Sequence, residues 1–159
     1  MSTRSQNGFT LIELVISVAL IGLLTSMAVP LLEVTQQRQK EVELRHALRQ
    51  IRLAIDAYHQ AAQAHRIDTA ADASGYPPHL DVLEQGVADI TRPDSAKIYF
   101  LRRLPRDPMH PDPQAKASDT WGKRSYKSPP DAPRAGDDVF DVYSLSAASG
   151  LNGVPYRQW

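Results

Sequence analysis

A long, mostly apolar run without charged residues lies near the start of the chain. Residues 14–32 carry no charge, and Glu13 stands directly before them. A helix of about 20 apolar residues crosses a hydrocarbon core of about 30 Å, so this run predicts a membrane-spanning helix. A lone carboxylate at the edge of such a span costs about 2.5 kcal/mol or more. We therefore expect Glu13 to find a cationic partner.

A helical pattern continues beyond this run. Apolar residues recur at alternating steps of four and three, with two alanines beside them: Leu44, Leu48, Ile51, Ile55, Tyr58, Ala47 and Ala54. This spacing is typical of a helix with one buried face. We predict one helix from about residue 10 to about residue 64, roughly 80 Å long, whose second half packs against a small domain.

Pro30 predicts a bend in this helix, because its ring removes the hydrogen bond to the carbonyl of Ser26. The hydroxyls of Thr25 and Ser26 are available to the freed groups. Gly22 and Ser26, four residues apart, form a small-residue patch that a second helix can approach closely. An ordinary kinked membrane helix explains the same spacing.

The rest of the chain predicts short elements joined by turns. We expect short helices over residues 77–85, ended by Gly86, and over residues 95–103. Four prolines between residues 105 and 113 argue against regular structure there. Residues 122–127 and 138–144 predict an antiparallel pair of strands. The predicted fold class is α+β, with one long amino-terminal helix packed on a small domain of short helices and a small antiparallel sheet.

Length and composition agree with a single domain beyond the long helix. Of 159 residues, roughly 95 lie beyond that helix, which is enough for one small core. The formal net charge is +0, so no overall field attracts nucleic acid. Cysteine is absent, which excludes disulfide bonds and leaves the compartment open.

The residues around Glu13 resemble a known motif. Gly8-Phe9-Thr10-Leu11-Ile12-Glu13-Leu14 is similar to the processing motif of type IV pilins and of the pseudopilins of type II secretion systems. The resemblance implies that a prepilin peptidase cuts after Gly8 and N-methylates Phe9. It also implies that Glu13 of one subunit neutralises the new amine of Phe9 in its neighbour, because two charges that are costly alone become tolerable as a pair.

The motif implies an organisation and a topology. Arg4 adds positive charge before the apolar run, so the amino end is expected in the cytoplasm and the remainder outside it. We expect a leader over residues 1–8, a transmembrane or filament-core half-helix over 9–32, an amphipathic half-helix over 33–64, and a periplasmic domain over 65–159. The expected location is the bacterial inner membrane, and the expected assembly residues are Glu13, Phe9, Gly22, Ser26 and Pro30.

Later segments resemble the major pseudopilin of type II secretion systems. The similar segments are residues 76–78, 101–108, 121–126, 128–129 and 138–145. Members of that branch follow the last strand with an acidic, glycine-rich loop that helps to bind calcium, whereas residues 146–153 contain no acid. Calcium prefers six to eight oxygen ligands including carboxylates, so the calcium site of that branch is not carried over. No cofactor is expected, and calcium bound through backbone oxygens is the alternative that stays open. Tyr156 and Trp159 are expected to lock this loop instead.

Other candidate sites match no chemical signature. Four potential metal ligands lie in the proline-rich region, without EF-hand or zinc spacing: Asp107, His110, Asp112 and Asp119. We interpret this region as a solvated loop. Three histidines lie along the helical region without the HExxH pattern, and we expect them at the surface or an interface: His46, His59 and His65. Catalytic motifs are absent from the sequence, so no enzyme activity is expected.

A basic row follows the second half of the long helix: Arg38, Arg45, Arg49 and Arg52. Glu41 and Asp56 lie four residues from Arg45 and Arg52, which favours a solvated face with local ion pairs. Contact with acids on a neighbouring subunit is the alternative. These arginines, or Arg102, Arg103 and Arg106, lack the interleaved aromatic residues typical of nucleic-acid binding, so nucleic acid is not expected as a partner.

The resemblance implies a structural pseudopilin subunit that helps to drive protein export. Expected partners are copies of the chain, other pseudopilins or pilins, a prepilin peptidase and an inner-membrane assembly platform. One alternative is a minor pilin of a type IV or competence pilus. Another is an unprocessed, membrane-anchored periplasmic binding domain, with Glu13 reaching the interface. A secretory signal peptide cleaved before Val29 is a further alternative.

Overall fold

The computed structural model describes residues 10–70, 73–94 and 96–159, and within these it describes residues 26–31 by their backbone alone. The chain divides into two compact units, residues 1–39 and 40–159. The predicted division at residues 32 and 64 stays a prediction.

One long helix and several short elements make up the described chain. In chain order they are α1 (Leu11–Gln63), α2 (Asp81–Gln85), β1 (Val87–Ala88), β2 (Lys97–Ile98), a 3₁₀ turn (Ala117–Asp119), β3 (Trp121–Arg124), β4 (Asp141–Ser144) and a second 3₁₀ turn (Tyr156–Gln158). The predicted α+β class is confirmed, and α1 has nearly the predicted bounds.

Helix α1 ends in a left-handed turn. His65 has a φ of 52°, and its N–H donates to the carbonyl of Ala62 at 3.0 Å. The N–H of Arg66 donates to the carbonyl of Ala61 at 2.9 Å. This pair of bonds is the Schellman arrangement, which satisfies carbonyls that the end of a helix leaves open. The chain therefore turns back toward α1 rather than continuing away from it.

The predicted stripe of α1 forms one side of the core of the second unit. All seven predicted residues are at most 5% exposed. They are covered by apolar residues from the rest of the unit: Leu80, Leu83, Leu104, Trp121, Val139, Val142 and Tyr156. Burial of such side chains stabilises a fold by about 1.5–3 kcal/mol each. The second half of α1 is therefore an integral part of the small domain.

The second unit contains two short antiparallel sheets. Val87 pairs with Ile98 in the first sheet, and Trp121 pairs with Ser144 in the second. The second sheet confirms the predicted strand pair, although both strands are shorter than expected. Val139 lies before β4, and its N–H donates to the carbonyl of Pro77 at 2.8 Å.

Two predicted helices differ from the structure. Over residues 77–85, only Asp81–Gln85 is α-helical, because the carbonyl of Pro77 is engaged by the strand region. The helix predicted over residues 95–103 is wrong. Lys97–Ile98 is a strand, and the N–H groups of Phe100 and Leu101 both donate to the carbonyl of Leu83. Pairing with neighbouring segments replaced the local helical bonds that the apolar spacing predicted.

Candidate assembly sites

Thr10 caps the amino end of α1. Its hydroxyl oxygen accepts the N–H of Glu13 at 3.3 Å, and its carbonyl accepts the N–H of Leu14 at 3.2 Å. Thr-x-x-Glu is the sequence signature of a capping box, and a carboxylate in the first turn interacts favourably with the positive end of the helix dipole. Sequence reasoning identified Glu13 and missed this role of Thr10. The predicted processing residues Gly8 and Phe9 lie outside the described residues.

The first unit presents an apolar surface around its helix. Every large apolar side chain between Leu11 and Leu24 is at least 52% exposed in the single chain. A helix that is hydrophobic on all sides is normally buried by other helices or by lipid. This surface therefore requires a covering environment.

The membrane assignment remains a sequence prediction. Within the described part of the chain, no helix combines the length and apolar character needed to cross a membrane. The predicted span, residues 14–32, includes residues 26–31, whose side chains lie outside the described residues.

Gly22 lies on an open part of α1. A Cβ atom added there would meet no heavy atom within 4 Å, so the single chain leaves room for a close neighbour. The hydroxyl of Thr25 donates to the carbonyl of Ile21 at 2.8 Å, not to the carbonyl freed by Pro30. The side chains of Ser26 and Pro30 lie outside the described residues. The patch and the bend stay predictions, although α1 is assigned continuously through this region.

The basic row does not form the local ion pair predicted for Arg52. Its Nε lies 2.8 Å from Oδ1 of Asp141, and its Nη2 donates to the carbonyl of Trp159 at 2.8 Å. The prediction of pairing with Asp56 is therefore wrong. The guanidinium of Arg45 lies over the ring of Trp159, 4.3 Å from its centroid. These two arginines hold the carboxyl-terminal segment against α1.

The proline-rich region is less solvated than predicted. Asp107 is only 3% exposed. Its Oδ2 accepts the hydroxyl of Ser144 at 2.6 Å, and its Oδ1 accepts the N–H of Met109 at 2.8 Å. Asp112 and Asp119 are exposed. Asp107 therefore attaches this loop to β4 through hydrogen bonds.

The three histidines have different environments. His46 and His65 are exposed, as predicted. His59 is partly buried, and its ring stacks on Tyr76 with centroids 4.0 Å apart. His59 is therefore a packing residue of the second unit.

The last segment of the chain folds back onto α1. Oε1 of Glu41 accepts the N–H of Leu151 at 2.7 Å and the hydroxyl of Tyr156 at 3.1 Å. The indole N–H of Trp159 donates to the carbonyl of Val154 at 3.3 Å. The sequence predicted the role of Tyr156 and Trp159 in locking this loop. It did not reveal Glu41, which is more than 100 residues away along the chain.

Known proteins match both the amino-terminal motif and most of the chain. Residues 3–29 match the family model of the prokaryotic N-terminal methylation motif. The type II secretion system core protein G of Klebsiella michiganensis is 26% identical over 92% of this chain and 99% of its own length. The core protein G of Pseudomonas aeruginosa is 28% identical over 92% of this chain and 87% of its own.

A third relative extends this agreement. The core protein G of Vibrio cholerae is 28% identical over 91% of this chain and 82% of its own length. No solved structure shows a significant match. The resemblance predicted from the sequence is confirmed. Through the motif and most of its length, the chain is similar to type IV pilin-like proteins, and in particular to the major pseudopilin of type II secretion systems.

Proposed function

We propose that this chain is a pseudopilin subunit that assembles through α1 into a short periplasmic filament and thereby assists protein export. The observation that carries the proposal is the apolar surface between Leu11 and Leu24, at least 52% exposed at every large side chain. It lies within the methylation motif. Packing of identical helices would cover it in the filament, and lipid would cover it before assembly.

Processing would create the charge that assembly needs. A prepilin peptidase would cut after Gly8 and methylate Phe9, leaving a free amine one residue before the Thr10 cap. Glu13 in the first turn of one subunit would then pair with Phe9 of the next. Both charges are costly alone in a low-dielectric environment, so their pairing would set the axial register of the subunits.

The location and partners follow from this role. The subunit would be a single-pass protein of the bacterial inner membrane, with its amino end in the cytoplasm and residues 65–159 in the periplasm. Its partners would be further copies, other pseudopilins and an inner-membrane assembly platform. Work would be supplied by other components, and no catalytic role is proposed for this chain.

Substitution of Glu13 tests the proposal. Glu13→Ala should leave cleavage after Gly8 intact, as measured by mass spectrometry of the amino terminus, and should reduce sheared filament yield severely. Glu33→Ala is the matched control, because Glu33 is an exposed acid of the same helix. Unchanged filament yield in Glu13→Ala would overturn the pairing. A mature chain that begins at Met1 or Val29 would overturn the filament role.

Gene deletion distinguishes secretion from a pilus. We expect loss of exoprotein release, with twitching motility and transformation unchanged. Loss of motility or transformation with normal secretion would instead indicate a minor pilin.

A further inference from the structure

The loop after β4 is closed by groups of the protein itself. The N–H of Gly150 donates to the carbonyl of Val154 at 2.9 Å, and the N–H of Tyr156 donates to the carbonyl of Ala148 at 3.1 Å. Ser149 and Pro155 form an antiparallel bridge. These bonds fold residues 148–156 into a compact hairpin-like loop.

A carboxylate of α1 attaches this loop to the domain. Glu41 is only 5% exposed, and its Oε1 receives one hydrogen bond from the tip of the loop, Leu151, and one from its carboxyl end, Tyr156. Hydrogen bonds to a buried carboxylate are among the stronger bonds in proteins. One side chain therefore holds two points of the loop against the long helix.

Trp159 closes the loop from the other side. A Cβ atom added at Gly150 would collide with the Trp159 ring, so the indole packs directly on the loop backbone. The ring of Tyr156 meets the same indole edge-on, with centroids 5.1 Å apart. Arg45 lies over the indole, as described above. The loop is thus packed between the tail and α1.

The oxygen atoms around this loop do not form a suitable set of calcium ligands. Residues 146–153 supply no carboxylate. Oε1 of Glu41 already accepts two hydrogen bonds, and Oδ1 of Asn152 accepts the N–H of Val154 at 3.1 Å. Across the described residues, no group of three or more acidic, histidine or cysteine side chains is arranged to hold a metal. Calcium needs six to eight oxygens, usually including several carboxylates.

We propose that Glu41 is a positioning residue that holds the loop of residues 148–156 in its native conformation without a metal ion. The loop would then keep its shape regardless of the calcium concentration. If the proposed filament role holds, assembly of this subunit would be equally independent of calcium. The positioning of the loop itself does not rest on that role, because it is a property of the single chain.

Hydrogen–deuterium exchange on the full-length chain in detergent micelles tests this proposal. Exchange of the amides of residues 148–156 reports local opening of the loop. Each protein is measured in 10 mM calcium chloride and in 10 mM EGTA, with ~10 mM chosen to exceed the dissociation constants of weak extracellular calcium sites. The variants are Glu41→Ala, Glu41→Gln and Glu43→Ala. Glu43 is the matched control, since it is an exposed acid on the same helix.

Wild-type exchange should be the same in both solutions. Glu41→Ala should speed exchange of the loop by about tenfold, because two donors lose their acceptor. Glu41→Gln should retain most of the protection, since its amide oxygen still accepts hydrogen bonds, and Glu43→Ala should match the wild type.

Three results would overturn the proposal. They are slower wild-type exchange in calcium, loop exchange in Glu41→Ala equal to that of the wild type, and equal acceleration by Glu43→Ala. Fast exchange at β3 would show that Glu41→Ala unfolds globally. The proposal would then be judged on Glu41→Gln, and loss of loop protection in that variant while β3 stays protected would overturn it. Because exchange is measured on unassembled subunits, failure of filament formation would not affect the result.

Discussion

Nη2 of Arg66 lies 2.7 Å from Oδ2 of Asp89, a carboxylate that is almost fully buried at the start of the β1–β2 connection. The N–H of Ile90 also donates to the carbonyl of Arg66 at 2.8 Å. The second oxygen of Asp89 accepts the hydroxyl of Thr91 at 2.6 Å. This network of hydrogen bonds joins the connection between β1 and β2 to the turn that ends α1.

Asp89 should make the stability of the domain depend on acidity. Hydrogen bonds from Thr91 and Arg66 lower the pKa of Asp89 to about 2, whereas an aspartate in an unfolded chain has a pKa of about 3.9. Because the folded pKa is the lower one, the stabilisation is fully present above about pH 4 and is lost as the pH falls through about 2. Urea unfolding at several pH values between about 5 and 2 would measure this loss.

Asp89→Asn removes the titrating group and should flatten this part of the pH profile. Asp131→Asn is the control, because Asp131 is exposed, and it should retain the wild-type pH dependence. If Asp89→Asn and the wild type lost stability in parallel as the pH fell, the carboxylate of Asp89 would not be the cause.

Thr10 should stabilise the first turn of α1. Thr10→Ala removes the acceptor for the N–H of Glu13 and should destabilise the first turn by about 1 kcal/mol. Thr10→Ser keeps the hydroxyl and should behave like the wild type. Amide exchange at residues 11–14 of the full chain in micelles measures the effect. Identical exchange in the alanine and serine variants would mean that the cap does not stabilise the helix start.

The sequence predicted the parts of the fold that depend on a long repeating pattern. The stripe from Leu44 to Tyr58 repeats over four turns, so several independent residues support the same helix face. The strand pair of β3 and β4 was recognisable for a similar reason, since alternating residues flank a proline-rich loop. A prediction supported by many positions stays correct even where a single residue departs from the pattern.

Short segments were harder to predict because tertiary contacts decide their structure. Ile98, Leu101 and Leu104 have helical spacing, yet Ile98 pairs with Val87 in a sheet. Nothing local distinguishes these two outcomes over so few residues. Buried Asp107 escaped prediction for the same reason, because its partner Ser144 lies in a different part of the sequence.

The candidate assembly sites also differ in whether a local sequence pattern or a long-range contact defines them. The motif around Glu13 is local, and it was recognised from a few consecutive residues. The contact of Glu41 with Leu151 joins positions 110 residues apart, and a single sequence gives no signal for it. The capping role of Thr10 was not predicted, although it does have a local signature, Thr-x-x-Glu.

Gly22 should be required for helix packing in the filament and not for folding of the subunit. A Cβ there meets no heavy atom within 4 Å, so Gly22→Leu should leave the circular dichroism of the unassembled chain unchanged. A large side chain would nevertheless keep a second helix from approaching closely, and sheared filament yield should fall. Ser17→Leu is the control, because position 17 lies about 140° away around the helix; it should assemble normally. Equal filament yield from both variants would show that the Gly22 face is not a helix contact.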